Sequence, residues 1–124
     1  MYVSGTCEGT YGLGNWIISP NFPQFYERNK ICSWTITAPL LKRIQIKVGT
    51  FIPGNGQDSL YVYDGANADS NPIEKITENT TENWFYSSGN TMHLSFRIND
   101  GQHQAKSVPI GFNIQYHVID MGKI

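Results

Sequence analysis

The chain has 124 residues, 40% of them hydrophobic and 13% aromatic but only 15% charged, which is enough apolar material for one packed core and argues against a disordered segment. Nine basic and ten acidic residues leave a formal net charge of -1, so the counterion release that drives nucleic-acid binding has little to act on, and nucleic acid is not an expected partner. No apolar run approaches the roughly 18 residues of a membrane-spanning helix, and residues 1–14 have neither the basic flank nor the apolar centre of a signal peptide.

Helical periodicity is weak along the whole chain, whereas apolar and polar residues alternate in short runs, which is the strand period of two. Cys32, Trp34 and Ile36 share one face of a first clear strand, opposite Ser33, Thr35 and Thr37. Ile44, Ile46 and Val48 alternate with Gln45, Lys47 and Gly49 in a second. A third, Ser59 to Tyr63, sets Leu60 and Val62 against Ser59, Tyr61 and Tyr63. Met92, Leu94, Phe96 and Ile98 alternate with His93, Ser95 and Arg97, and the last run, Gly111 to Ile119, sets Phe112, Ile114, Tyr116 and Val118 against Asn113, Gln115 and His117. One apolar face per strand is what two antiparallel sheets packed face to face require, so the expected fold is an all-β, two-sheet antiparallel β-sandwich. Turn-forming residues separate the strands at Pro53-Gly54-Asn55-Gly56, Asp64-Gly65, Ser88-Gly89-Asn90 and Asn99-Asp100-Gly101. No linker or repeat interrupts this pattern, and residues 1–124 are expected to form a single domain.

The two cysteines, Cys7 and Cys32, are compatible with buried free thiols, one disulfide or half of a metal site, although no CxxC or paired-His spacing favours zinc. One sequon, Asn79-Thr80-Thr81, lies in a polar stretch that reads as a loop, a position that takes a glycan in an extracellular protein. His93 and His117 fall on polar strand faces and His103 in the loop from Gly101 to Pro109. No Ser or Cys motif marks a nucleophile for them to activate, and Asp64, Asp69, Glu74, Glu78 and Glu82 sit in turns or polar connections, so the chain is not expected to be an enzyme. Tyr61 and Tyr63 form a candidate aromatic contact stripe on the face opposite Leu60 and Val62, or else that face is the interior one or the pair packs beneath a neighbouring loop; the polar loop that holds His103 is a second candidate contact surface.

Between the strands, Ile18-Ser19-Pro20-Asn21-Phe22-Pro23, followed by Tyr26, Asn29, Cys32 and Trp34, resembles the SPNYP segment and CxW strand of the CUB family. Asp58-Ser59-Leu60-Tyr61-Val62-Tyr63-Asp64-Gly65, then Ser87-Ser88-Gly89-Asn90, and finally Gly111-Phe112 with Tyr116, are similar to later family segments in the same order. The resemblance implies a CUB-type jelly roll, a disulfide between Cys7 and Cys32, and secretion. It also implies a non-enzymatic extracellular module for protein binding or assembly, cut from a longer secreted or membrane-anchored protein. The alternative it offers is a stand-alone glycan-binding protein of spermadhesin type. The commoner family pattern has a second disulfide in its later half, but no cysteine follows Cys32. Many family members hold calcium with a tyrosine, a glutamate and two aspartates; here Tyr26 and Asp58 match the tyrosine and first aspartate, Asn99, with Asp100 beside it, stands where the second aspartate is expected, and residues 52–57 contain no acid where the glutamate belongs. Calcium favours charged oxygen ligands, so the expectation is no cofactor, with calcium weak at most.

Overall fold

The computed structural model describes residues 2–3, 8–11, 16–18, 30–52, 59–69, 72–77, 80–98 and 111–120. Its regular elements are ten strands: β1 (Tyr2–Val3), β2 (Glu8–Tyr11), β3 (Trp16–Ile18), β4 (Lys30–Thr37), β5 (Lys42–Ile52), β6 (Ser59–Tyr63), β7 (Glu74–Ile76), β8 (Trp84–Tyr86), β9 (Thr91–Ile98) and β10 (Gly111–Asp120). They form two five-stranded sheets, ordered β1-β3-β10-β5-β8 and β2-β4-β9-β6-β7. Each sheet is four antiparallel strands with a fifth added in parallel, β1 beside β3 and β2 beside β4. The antiparallel sandwich expected from alternation is therefore present, with a parallel strand on one edge of each sheet.

The five strands read from alternation, β4, β5, β6, β9 and β10, are the long central ones, and their apolar residues do face inward. Trp34, Ile36, Leu60, Val62, Met92, Leu94 and Phe96 from one sheet meet Ile17, Ile44, Ile46, Phe112, Ile114 and Tyr116 from the other, all buried. Aromatic rings cross this interface edge to face: Trp34 meets Phe112 at 5.7 Å and 86°, and Phe96 meets Phe112 at 4.9 Å and 78°, the arrangement the ring quadrupole favours. A ring the size of Trp34, at about 200 Å² buried and about 25 cal/mol per Å², contributes roughly 5 kcal/mol before ordering costs. Cys32 lies fully buried on the same face as Trp34.

Two local features shape the outer surface of the first sheet. Along the β5–β10 pair, Asn113 is opposite Thr50 and Ile114 opposite Val48, so Gly49 is an extra residue, a β-bulge. A Cβ at Gly49 would lie 2.5 Å from Asn113 Oδ1, so a larger residue at the bulge would have to displace the Asn113 amide. Between β4 and β5, Lys42 N–H donates to the Pro39 carbonyl at 3.1 Å, and Leu41 has φ of 70°. This is a tight turn whose third position favours glycine.

Candidate binding surfaces

The outward face of the second sheet carries the tyrosine pair. Tyr61 and Tyr63, two residues apart on central strand β6, stack at 6.4 Å with planes 22° apart. Arg97, opposite Ser59 in register, reaches along the sheet with its guanidinium 4.5 Å from the Tyr61 ring centre and donates to Tyr63 Oη at 3.1 Å. Lys75, opposite Tyr61 on β7, places its ammonium 5.8 Å from the same ring. Small Ser95 lies across from Tyr61 and is buried, leaving room for the longer neighbours. Tyr63 is only 3% exposed; Tyr61 is the half-exposed member, and with Arg97 and Lys75 it makes a cationic aromatic surface.

His93 closes the other side of Tyr63, ring centres 5.9 Å apart, and its Nδ1 is 3.0 Å from Thr35 Oγ1, a bond whose donor follows the imidazole tautomer. Desolvation by burial lowers the His93 pKa below the usual 6.5. Thr35 Oγ1 also lies 3.4 Å from the Ala66 carbonyl, linking this cluster to the turn that Asp64-Gly65 opens. His117 projects from the outer face of the opposite sheet, so His93 and His117 are not brought together.

At one end of the sandwich, Ser87 joins strands and turns. Its buried hydroxyl accepts from Ile44 N–H at 2.8 Å and donates to the Gly89 carbonyl at 2.6 Å, while Arg43 Nε donates to the Ser87 carbonyl at 2.6 Å. Asp64 accepts from Ser88 N–H at 2.9 Å, and Ala38 and Asn90 exchange two bonds of 2.8 and 3.0 Å. Asp64 thus has a turn-bridging role, and the nearby Pro39 turn presents Leu40 and Leu41, 81% and 79% exposed. Sequence reasoning missed this pair, although Pro-Leu-Leu-Lys between two alternating runs is visible as an apolar tip.

Cys7, Tyr26, Asp58, Asn79, Asn99, Asp100 and His103, with the loop from Gly101 to Pro109, lie outside the described residues. Among the described residues no group of three His, Cys, Asp or Glu is placed to hold a metal ion, and no helix is long and apolar enough to cross a membrane.

The order of strands defines a two-sheet β-sandwich, and the CUB domain family model matches residues 7–116. The chain belongs to the CUB domain family. Exoskeleton protein RP43 of Riftia pachyptila is 34% identical over 91 residues, 70% of this chain and 21% of that protein. Human cubilin is 32% identical over 98 residues, 74% of this chain but 3% of cubilin. Ovochymase of Halocynthia roretzi is 34% identical over 107 residues, 84% of this chain and 6% of that protein. The chain thus spans no more than 21% of the length of these relatives. Among solved structures, the full extracellular region of zebrafish Gpr126/Adgrg6 matches with a TM-score of 0.72 at 24% identity, covering 94% of this chain and 15% of that one. The MASP-1 CUB2 domain bound to Ca2+ matches with a TM-score of 0.66 at 14% identity, over 93% of this chain and 99% of that one. At these identities the structures bear on the fold.

Proposed function

We propose that the chain is a non-enzymatic extracellular module that binds a protein partner within a larger assembly, using the Tyr61, Arg97 and Lys75 surface. The observation that carries this reading is Arg97 laid over a half-exposed tyrosine in the middle of a sheet, two of the residue types enriched at binding hot spots. The exposed Leu40-Leu41 tip adds an apolar anchor, and family membership places the fold among modules of larger extracellular proteins.

A disulfide between Cys7 and Cys32 belongs to the same reading. Glu8, which follows Cys7, is opposite Ser33, which follows Cys32, on paired strands, and no described cysteine is free. Closing that loop constrains the unfolded chain by roughly 3 to 4 kcal/mol in the chain-entropy model. Calcium, if bound through Tyr26, Asp58, Asn99 and Asp100, is weak, because residues 52–57 add no charged ligand. The test is to present the oxidised domain to a panel of secreted proteins and common hydrolase substrates. A saturable protein partner with no turnover is expected; turnover, or no partner at all, would reject the reading.

A further inference from the structure

The other sheet has an outward face that the tyrosine surface does not touch. Registers across it place Trp84 opposite Lys47, Lys47 opposite Gln115, and Gln115 opposite Trp16, a straight row over four strands. At about 4.8 Å between strands, this row is about 14 Å long. The parallel row beside it holds Tyr86, Gln45 and His117, with Gln45 Nε2 donating to Tyr86 Oη at 3.3 Å. Trp84 is 38% exposed, and the remaining members are half-buried or exposed.

The chemistry of this face is specific. Its aromatic rings stand at the two ends, while its centre is Lys47, Gln115, Gln45 and His117. A protein hot spot has the reverse layout, with a desolvated apolar centre inside a polar rim. Central amides that both donate and accept match rows of sugar hydroxyls, and the exposed Trp84 and half-buried Trp16 at the ends offer flat apolar surface to the C–H faces of a sugar ring. The outward positions of β3, β5, β8 and β10 carry Lys47 and Arg43 but no acid. Among the described residues Lys47 meets only the Trp84 ring, at 5.2 Å, and Glu82, two residues before Trp84, accepts from the Asn83 N–H at 3.2 Å. An unpaired ammonium in the middle of a hydroxyl-matching row suits a sugar that carries a negative charge.

We infer that the outer face of the β3-β10-β5-β8 sheet binds an acidic oligosaccharide of several residues along the row from Trp84 through Lys47 and Gln115 to Trp16. This site lies on the opposite side of the sandwich from the Tyr61 surface, so either can fail without the other. The carboxylate of a uronic acid and a sulfate ester share the chemistry Lys47 recognises, and two probes separate them.

The experiment titrates the domain with a hyaluronan hexasaccharide, which carries carboxylates only, and a heparin hexasaccharide, which is sulfated, by isothermal calorimetry and tryptophan fluorescence. Binding of one or both is expected, weakening as salt rises. It should fall at least about tenfold in Lys47→Gln and in Trp84→Ala and stay unchanged in Tyr61→Ala. Lys47→Gln is a surface change that leaves the core intact, so its loss reads on the site even where Trp84→Ala perturbs folding. Failure of both probes at millimolar concentration, salt-independent binding, or binding lost in Tyr61→Ala but kept in Lys47→Gln, would overturn the inference.

Discussion

Ser87 shows how much one hydroxyl can organise. It is fully buried and bonded to Ile44 N–H and to the Gly89 carbonyl, so Ser87→Ala strands a buried donor and acceptor at once. The expected cost is about 1 to 3 kcal/mol, read from urea denaturation; a change below about 0.5 kcal/mol would remove Ser87 from its structural role. His93 makes a pH-dependent contribution at the same scale. Because burial lowers its pKa below 6.5, the unfolded chain takes up a proton that the fold resists. The stability linked to His93 is therefore complete above pH 6.5 and lost as pH falls below it. His93→Gln should flatten the decline of melting temperature between about pH 7 and pH 5; an unchanged slope would assign that decline to other groups.

At the scale of elements, the Pro39 turn carries a strained leucine. Leu41 at φ of 70° occupies a region that costs a side chain about 1 to 2 kcal/mol, while glycine gives back roughly 0.5 to 1 kcal/mol of unfolded-state entropy. Leu41→Gly should therefore stabilise the domain by about 0.5 kcal/mol while removing half of the exposed apolar tip; destabilisation would show that Leu41 packs more than its exposure indicates. The elements also show what could be read in advance. Five strands were legible because apolar and polar residues alternate along each, as Ile44, Ile46 and Val48 do with Gln45 and Lys47. The strands β1, β2, β3, β7 and β8 are two to four residues long, too short for a period of two to be counted. Their pairing is set by neighbours, and the two parallel edge strands have no local signature at all. The same reason hid the outer face of β3, β5, β8 and β10: Trp16, Lys47, Trp84 and Gln115 become one row only through registers between distant segments. Alternation put Tyr61 and Tyr63 on the face opposite Leu60 and Val62 but could not say which face is outer, and the burial of Tyr63 depends on Arg97 and His93, which alternation cannot place beside it.

For the whole molecule, membership in the CUB family and the core of two facing sheets describe a rigid carrier with distinct outer faces. The shortage of acids in residues 52–57 predicts that calcium adds little: at millimolar calcium, a site of millimolar affinity stabilises by only about 0.4 kcal/mol. Chelator should thus move the melting temperature by no more than about 2 °C, and a larger fall would reveal a strong site. Reduction should do far more, since the proposed Cys7–Cys32 bond is the chain's one available staple. The proposed protein-facing surface is built on Tyr61 and Arg97. Its most direct measurement is the affinity of the oxidised domain for its captured protein partner, compared with Tyr61→Ala and Arg97→Gln: a loss of at least about tenfold in each is predicted, and undiminished affinity in both folded variants would contradict it.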